Sequence, residues 1–206
     1  MSLLGPCART LRTLAWTALA FAVLAAPASA QDTVRVRGEV TDVTGDIVTI
    51  QDAGGEVVAV PMAPDFLLIT YVPIAVADLA EGDFLSIPSL SGPEGGKVAV
   101  SINVFPEAMR GVGEGERPWD LGDGSLMTNA TIGAVAAAPD GQAVTVTYDG
   151  TEEVVSVPDG TPITRIVPTD RRLETGDRAI LLVRVDGPDV TGVFAGVMED
   201  GTLPPV

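Results

Sequence analysis

The chain has no histidine and a single cysteine, Cys7. Without histidine there is no Ser-His-Asp or Cys-His catalysis of the usual kind. With no histidine and one cysteine there is no zinc site built from His and Cys ligands. Any metal has to be held mainly by oxygen, which favours hard cations such as calcium or magnesium. A lone cysteine allows no disulfide framework. Basic residues are also scarce: 12 Lys and Arg stand against 28 Asp and Glu. Such an acidic surface repels nucleic acid phosphates, so nucleic acid is not an expected partner. Aromatic residues are few, with two tryptophans and two tyrosines. That is little for a sugar-stacking groove.

What is present begins with a leader. Arg9 and Arg12 precede an apolar run over residues 14–26, and Ala28-Ser29-Ala30 supplies an A-x-A cleavage site. A run of 13 residues is too short for a membrane helix, which needs about 20. Residues 1–30 are therefore expected to be a signal peptide, with the mature chain starting at Gln31. Cys7 leaves with it. No Arg-Arg pair precedes the run, which favours general secretion over the twin-arginine route. Losing Arg9 and Arg12 leaves 10 basic against 28 acidic residues, a net charge of −18. No second apolar run has spanning length. The mature protein is expected to be periplasmic or secreted, in a bacterium, and not membrane-spanning after cleavage.

The rest alternates apolar and polar residues with the period of half-buried strands. Val34 to Val40, Asp46 to Ile50 and Glu56 to Pro61 are three such segments, with Asp52-Ala53-Gly54-Gly55 as a hairpin turn. A less regular stretch from Met62 to Ala80 leads to Glu81-Gly82-Asp83. Strands are then expected over Phe84 to Ile87 and Lys97 to Phe105. The same order returns 94 to 97 residues later. Gly133-Ala134-Val135 matches Gly38-Glu39-Val40, and Val167-Pro168 matches Val72-Pro73. Glu153 to Pro158 differs from Glu56 to Pro61 at one position. Leu173 to Asp177 matches Leu79 to Asp83. These ordered matches indicate an internal duplication.

The expected fold class is all-β: two tandem small five-stranded OB-like barrels after an N-terminal signal peptide. The alternative is two open meanders packed as one sandwich. The expected domains are 1–30, signal peptide; 31–105, β-barrel repeat 1; 106–128, a connector containing Gly, Pro and Trp; and 129–206, β-barrel repeat 2.

The connector holds the candidate ligand-binding residues: Arg110, Glu114, Glu116, Arg117, Trp119, Asp120 and Asp123. In a functional reading Trp119 is a stacking platform and the charged groups are polar contacts. In a structural one Trp119 packs on a barrel and the charges pair or stay solvated. The run from Asp120 to Ser125 lacks EF-hand spacing, with Thr131 where the bidentate Glu belongs. Asn129-Ala130-Thr131 is a glycosylation sequon on paper. The adjacent acids Glu152-Glu153 and Glu199-Asp200 point to opposite faces of a strand and read as surface charge.

The segments Phe105 to Gly111, Gly113 to Gly115, Arg117 to Leu121 and Met127 to Thr131 resemble a group of small secreted bacterial proteins of unknown function. Some of those carry the label "metal ABC transporter permease", and their repeats are similar to a broader bacterial family with a small OB-like barrel. The resemblance spans nearly the whole mature chain. It implies an envelope location and this architecture, and no reaction. The family pattern has His directly after Gly113-Glu114-Gly115, where this chain has Glu116. A permease crosses the membrane in helices or a lipid-facing barrel; no segment here supplies either.

The leading expectation is a non-enzymatic binding or structural module of the bacterial envelope. Its partner would be an unknown envelope protein or a small ligand, with no cofactor. The second is an accessory that binds a divalent cation through carboxylates, the metal being unknown. The third is a carboxylate-dependent hydrolase.

Overall fold

The structure, a computed structural model, describes residues 32–92 and 95–205. The expected signal peptide and Cys7 lie outside the described residues. The chain is nearly all β: a closed five-stranded barrel with further strands paired onto it. Among the described residues no helix is long and apolar enough to cross a membrane.

The barrel begins as a meander of β1 (Asp32–Thr44), β2 (Ile47–Gln51) and β3 (Val57–Pro73). Antiparallel pairing joins β1 to β2 and β2 to β3. The last two strands of the chain close it. They are β12 (Arg178–Asp186) and β13 (Asp189–Met198). β13 runs parallel to β3, and β12 runs antiparallel to both β13 and β1. Alternation sorts the side chains. Val40, Ile50, Val60, Leu181 and Val197 point inward into one core.

The strands of residues 32–104 therefore do not close on one another, as one barrel per repeat requires. β4 (Phe84–Ser91), β5 (Lys97–Ala99) and β6 (Ile102–Val104) instead meet the second repeat. Its strands are β8 (Leu126–Ala138), β9 (Gly141–Tyr148), β10 (Thr151–Pro158) and β11 (Ile163–Pro168). β8 pairs with β9, β9 with β10, β10 in parallel with β5, β5 with β4, and β4 with β8. Leu85, Ile87, Ile132, Val144 and Val155 share a second core along this path.

One backbone detail repeats on both sides. Gly176 N–H donates to the Val40 carbonyl (2.7 Å) and Val40 N–H to the Asp177 carbonyl (2.7 Å). Gly82 N–H donates to the Ile132 carbonyl (2.8 Å) and Ile132 N–H to the Asp83 carbonyl (2.8 Å). The Gly-Asp turn of each repeat thus docks on the first strand of the other. Leu173 and Leu79, equivalent by repeat, are buried in the two different cores.

The long third strand carries the chain from one set of strands to the other. Seventeen residues at about 3.3 Å each span roughly 55 Å, past the barrel that β3 starts in. The apparent irregularity after Met62 is a local bulge at Ala63 to Phe66, where the register against β13 shifts. Pro64 lacks a ladder donor, so the bulge is where it fits. β3 then continues to Pro73, and its last five residues pair with β11. Where this crossing meets β12 and β13, a third core forms from Ile69, Tyr71, Ile166, Ile180 and Met198, with Phe105, Met109 and Phe194 against it.

The connector is structured. A 3-10 turn covers Glu107–Met109, and β7 (Gly115–Pro118) pairs antiparallel with the start of β8.

Candidate functional site

A cavity of about 270 Å3 lies over the third core, lined by residues of β1, β3, β4, β6, β8, β11, β12 and β13 and by the connector. Apolar residues dominate its wall: Phe105, Met109, Met127, Ile180, Leu182 and Phe194. Its charged lining residues are Arg35 and Arg117, with no Asp or Glu. Tyr71, Trp119, Asn103 and Asn129 add polar atoms. Few polar groups converging on an apolar wall is the usual make-up of a small-molecule site.

Trp119 is fixed from below by its own loop. Its backbone N–H donates to the Ser125 carbonyl (2.9 Å) and Ser125 Oγ donates back to the Trp119 carbonyl (2.7 Å). Two guanidiniums lie against the indole. The Arg35 guanidinium carbon is 4.4 Å from the ring centroid and that of Arg117 is 5.6 Å away. Contacts of this kind are worth about 0.5–2 kcal/mol each. The indole is thus partly covered by protein and forms a wall more than an open stacking platform.

Arg35 and Arg37 alternate with Val34 and Val36 along β1, so both point out of the barrel toward Tyr71. Arg35 is held by a two-pronged contact to the Asp120 carboxylate (Nε to Oδ2, 2.9 Å). Arg37 donates through Nη2 to the Pro204 carbonyl, while its buried Nε has no partner among the described residues. Burial lowers the pKa of both arginines. Burial also pushes the Tyr71 hydroxyl up to about 12, although the two nearby cations pull the other way. Tyr71 therefore stays a neutral donor over the physiological range.

Two further buried atoms lack partners among the described residues: Trp119 Nε1 and Asn129 Oδ1. Asn129 is 3% exposed and spends its amide N–H on the Val112 carbonyl (2.8 Å). A neighbouring buried trio is satisfied: Thr164 Oγ1 donates to Asn103 Oδ1 (2.8 Å), and Asn103 Nδ2 to Ser86 Oγ (3.4 Å). Leaving a buried polar atom unpaired costs about 1–3 kcal/mol. Two of them on residues that line one cavity call for an explanation.

The seven residues singled out from the connector fall into different places. Arg117 and Trp119 line the cavity, and Asp120 anchors Arg35. Arg110 pairs with exposed Glu107 (2.7 Å) and with the Gly82 carbonyl (2.9 Å), outside the cavity wall. Glu116 is bound by Lys97, which also holds Glu153 (2.5 Å), so it fastens β7 to β5 and β10. Glu114 and Asp123 are exposed and line no part of it. No group of three or more His, Cys, Asp or Glu side chains is placed to hold a metal among the described residues. The sequon asparagine, Asn129, is buried, so the folded protein does not present it.

Arg35 and Tyr71 escaped the sequence reading, and Asn129 was read only as part of a sequon. Arg35 looked like the solvated face of an alternating strand, and Tyr71 lay in the stretch whose period the bulge breaks. The signal that was available is the neighbourhood of opposite charges, Arg35 and Asp120, but only the fold brings them together.

The chain matches no protein-family model, no curated protein and no solved structure.

Proposed function

We propose that this chain is a non-enzymatic binding module of the bacterial envelope, exported by the signal peptide at residues 1–30. Its ligand would be a small organic molecule held in the cavity beside Trp119. One observation carries this: Asn129 Oδ1 and Trp119 Nε1, both buried and unpaired, belong to residues lining the same apolar cavity. An acceptor on the ligand answers Trp119 Nε1–H, and a donor, where the ligand carries one, answers Asn129 Oδ1.

The proposal extends to architecture. The pairing path β8–β9–β10–β5–β4 repeats the order of the closed barrel β1–β2–β3–β13–β12. We interpret the molecule as two OB-type barrels that have exchanged their last two strands. The cavity then lies at the seam that the exchange creates. Membership of the secreted bacterial family that the central motif resembles belongs to the same proposal.

Melting temperature against a panel of small metabolites tests the binding role, with divalent cations as a separate arm. A ligand at about 100 times its Kd adds about 2.7 kcal/mol. For a chain of this length that raises the Tm by about 5 to 10 °C. The variant Leu182→Trp, which enlarges a half-buried wall residue, is expected to lose the shift. Shifts with cations alone would favour the cation-binding accessory instead.

A further inference from the structure

The charge of the cavity runs against the charge of the molecule. The chain carries a net charge of −16, yet the only charged residues lining this cavity are two arginines. Arg35 is neutralised by Asp120. Arg117 is not: among the described residues no ion pair joins it to a carboxylate. Its hydrogen-bond partner is the Gly113 carbonyl (3.0 Å), and its guanidinium leans on the indole. The residue is only part-exposed, and burial lowers its pKa. A partly desolvated cation without a counter-charge is costly, and an anion in the cavity relieves that cost. The other unspent donors point to the same chemistry. Trp119 Nε1–H is unpaired, and Tyr71 keeps its proton.

Resting on the binding role proposed above, we infer that the ligand is a small organic acid. Its carboxylate faces the Arg117 guanidinium, and its apolar body, no larger than a single ring or a short branched chain, packs on Met127, Ile180, Leu182 and Phe194. The volume of about 270 Å3 falls just below the range usual for drug-sized ligands, about 300–1,000 Å3, which sets the size. Arginine suits the head group because its planar fork matches a carboxylate with two parallel bonds.

The test is calorimetric titration of the purified protein with two acids, benzoate and 3-methylbutanoate, and with their uncharged amides. The acids are expected to bind at least tenfold more tightly than the amides. Arg117→Gln is expected to remove that preference while amide binding stays as it was, and Arg117→Lys to keep part of it. Amides that bind as tightly as the acids would overturn the carboxylate assignment and leave the binding role standing. A preference that survives intact in Arg117→Gln would overturn the place given to Arg117. No heat from acid or amide up to about 10 mM, weaker than any useful site, would overturn the inference, and the binding role would then rest on the metabolite panel alone.

Discussion

At the scale of single residues, Tyr71 and two glycines carry the sharpest consequences. The Tyr71 hydroxyl is raised to about 12 by burial, against about 10 in an unfolded chain. Between those values the unfolded state has lost its proton and the folded state has kept it, so stability falls as pH rises. The loss across the window is about 2–3 kcal/mol. Urea midpoints at pH 9, 10 and 11 are expected to fall more steeply in the wild type than in Tyr71→Phe, which cannot ionise. Equal slopes would show that the hydroxyl is not desolvated. Gly196 lies against that ring: a Cβ there would stand 2.5 Å from Tyr71 Cε2. Gly196→Ala is expected to displace the ring at a cost of about 1–3 kcal/mol. At Gly38 the obstacle is backbone, since a Cβ would come within 1.9 Å of the Gln51 carbonyl oxygen. Gly38→Ala is therefore expected to cost more than Gly196→Ala, as thermal melts of the two would show.

At the scale of elements, the connector is a clasp. β7 is pinned through Glu116 to Lys97, which also binds Glu153 of β10, and Tyr148 donates to that same carboxylate (3.1 Å). Lys97 is 14% exposed and the two acids 28% and 25%, so the network is partly shielded from water. Lys97→Met is expected to cost about 1–3 kcal/mol, because it leaves two half-buried acids without their cation. Limited proteolysis is expected to cut within residues 106–118 faster in that variant. An unchanged rate would mean that the backbone ladder to β8 holds β7 unaided.

The sequence made these elements legible in unequal measure. Alternation located β1 and β2 to within a few residues, and the match of Glu153 to Pro158 with Glu56 to Pro61 located β10, because each has one face toward a core. It missed the outer half of β3, where Pro64 and Asp65 interrupt the period and the strand buries both sides afterwards. It also treated residues 106–128 as a plain connector. Four residues of β7 are too few for a period to show, and their partner is the next strand. Two cavity residues, Arg117 and Trp119, were found by composition alone. The rest of the wall comes from strands far apart in the chain, which no local pattern records.

At the scale of the whole molecule, the sequence carried the signs of a duplication but none of the strand exchange proposed above. Two equivalent repeats are compatible with each closing alone or with each closing the other, since the same inner faces are buried either way. The choice is made by the length and bulge of β3, and by turns such as Gly82-Asp83 that dock on the other repeat. Residues 31–105 alone and 106–206 alone are each expected to lack a fixed fold, and to regain strand signal by circular dichroism when mixed. Halves that fold separately would contradict the exchange.

The central claim is that the seam cavity is a binding site, and the side-chain N–H resonances of its own walls report on it most directly. In a 1H–15N spectrum of residues 31–206, Trp119 Nε1–H and the Asn129 side-chain amide are assigned by comparison with Trp119→Phe and Asn129→Asp, and benzoate is then added. The account predicts that both signals move together along one saturable curve, and that the curve disappears in Leu182→Trp. Signals that stay in place, or that move only at exposed residues such as Glu152 and Asp123, would contradict it.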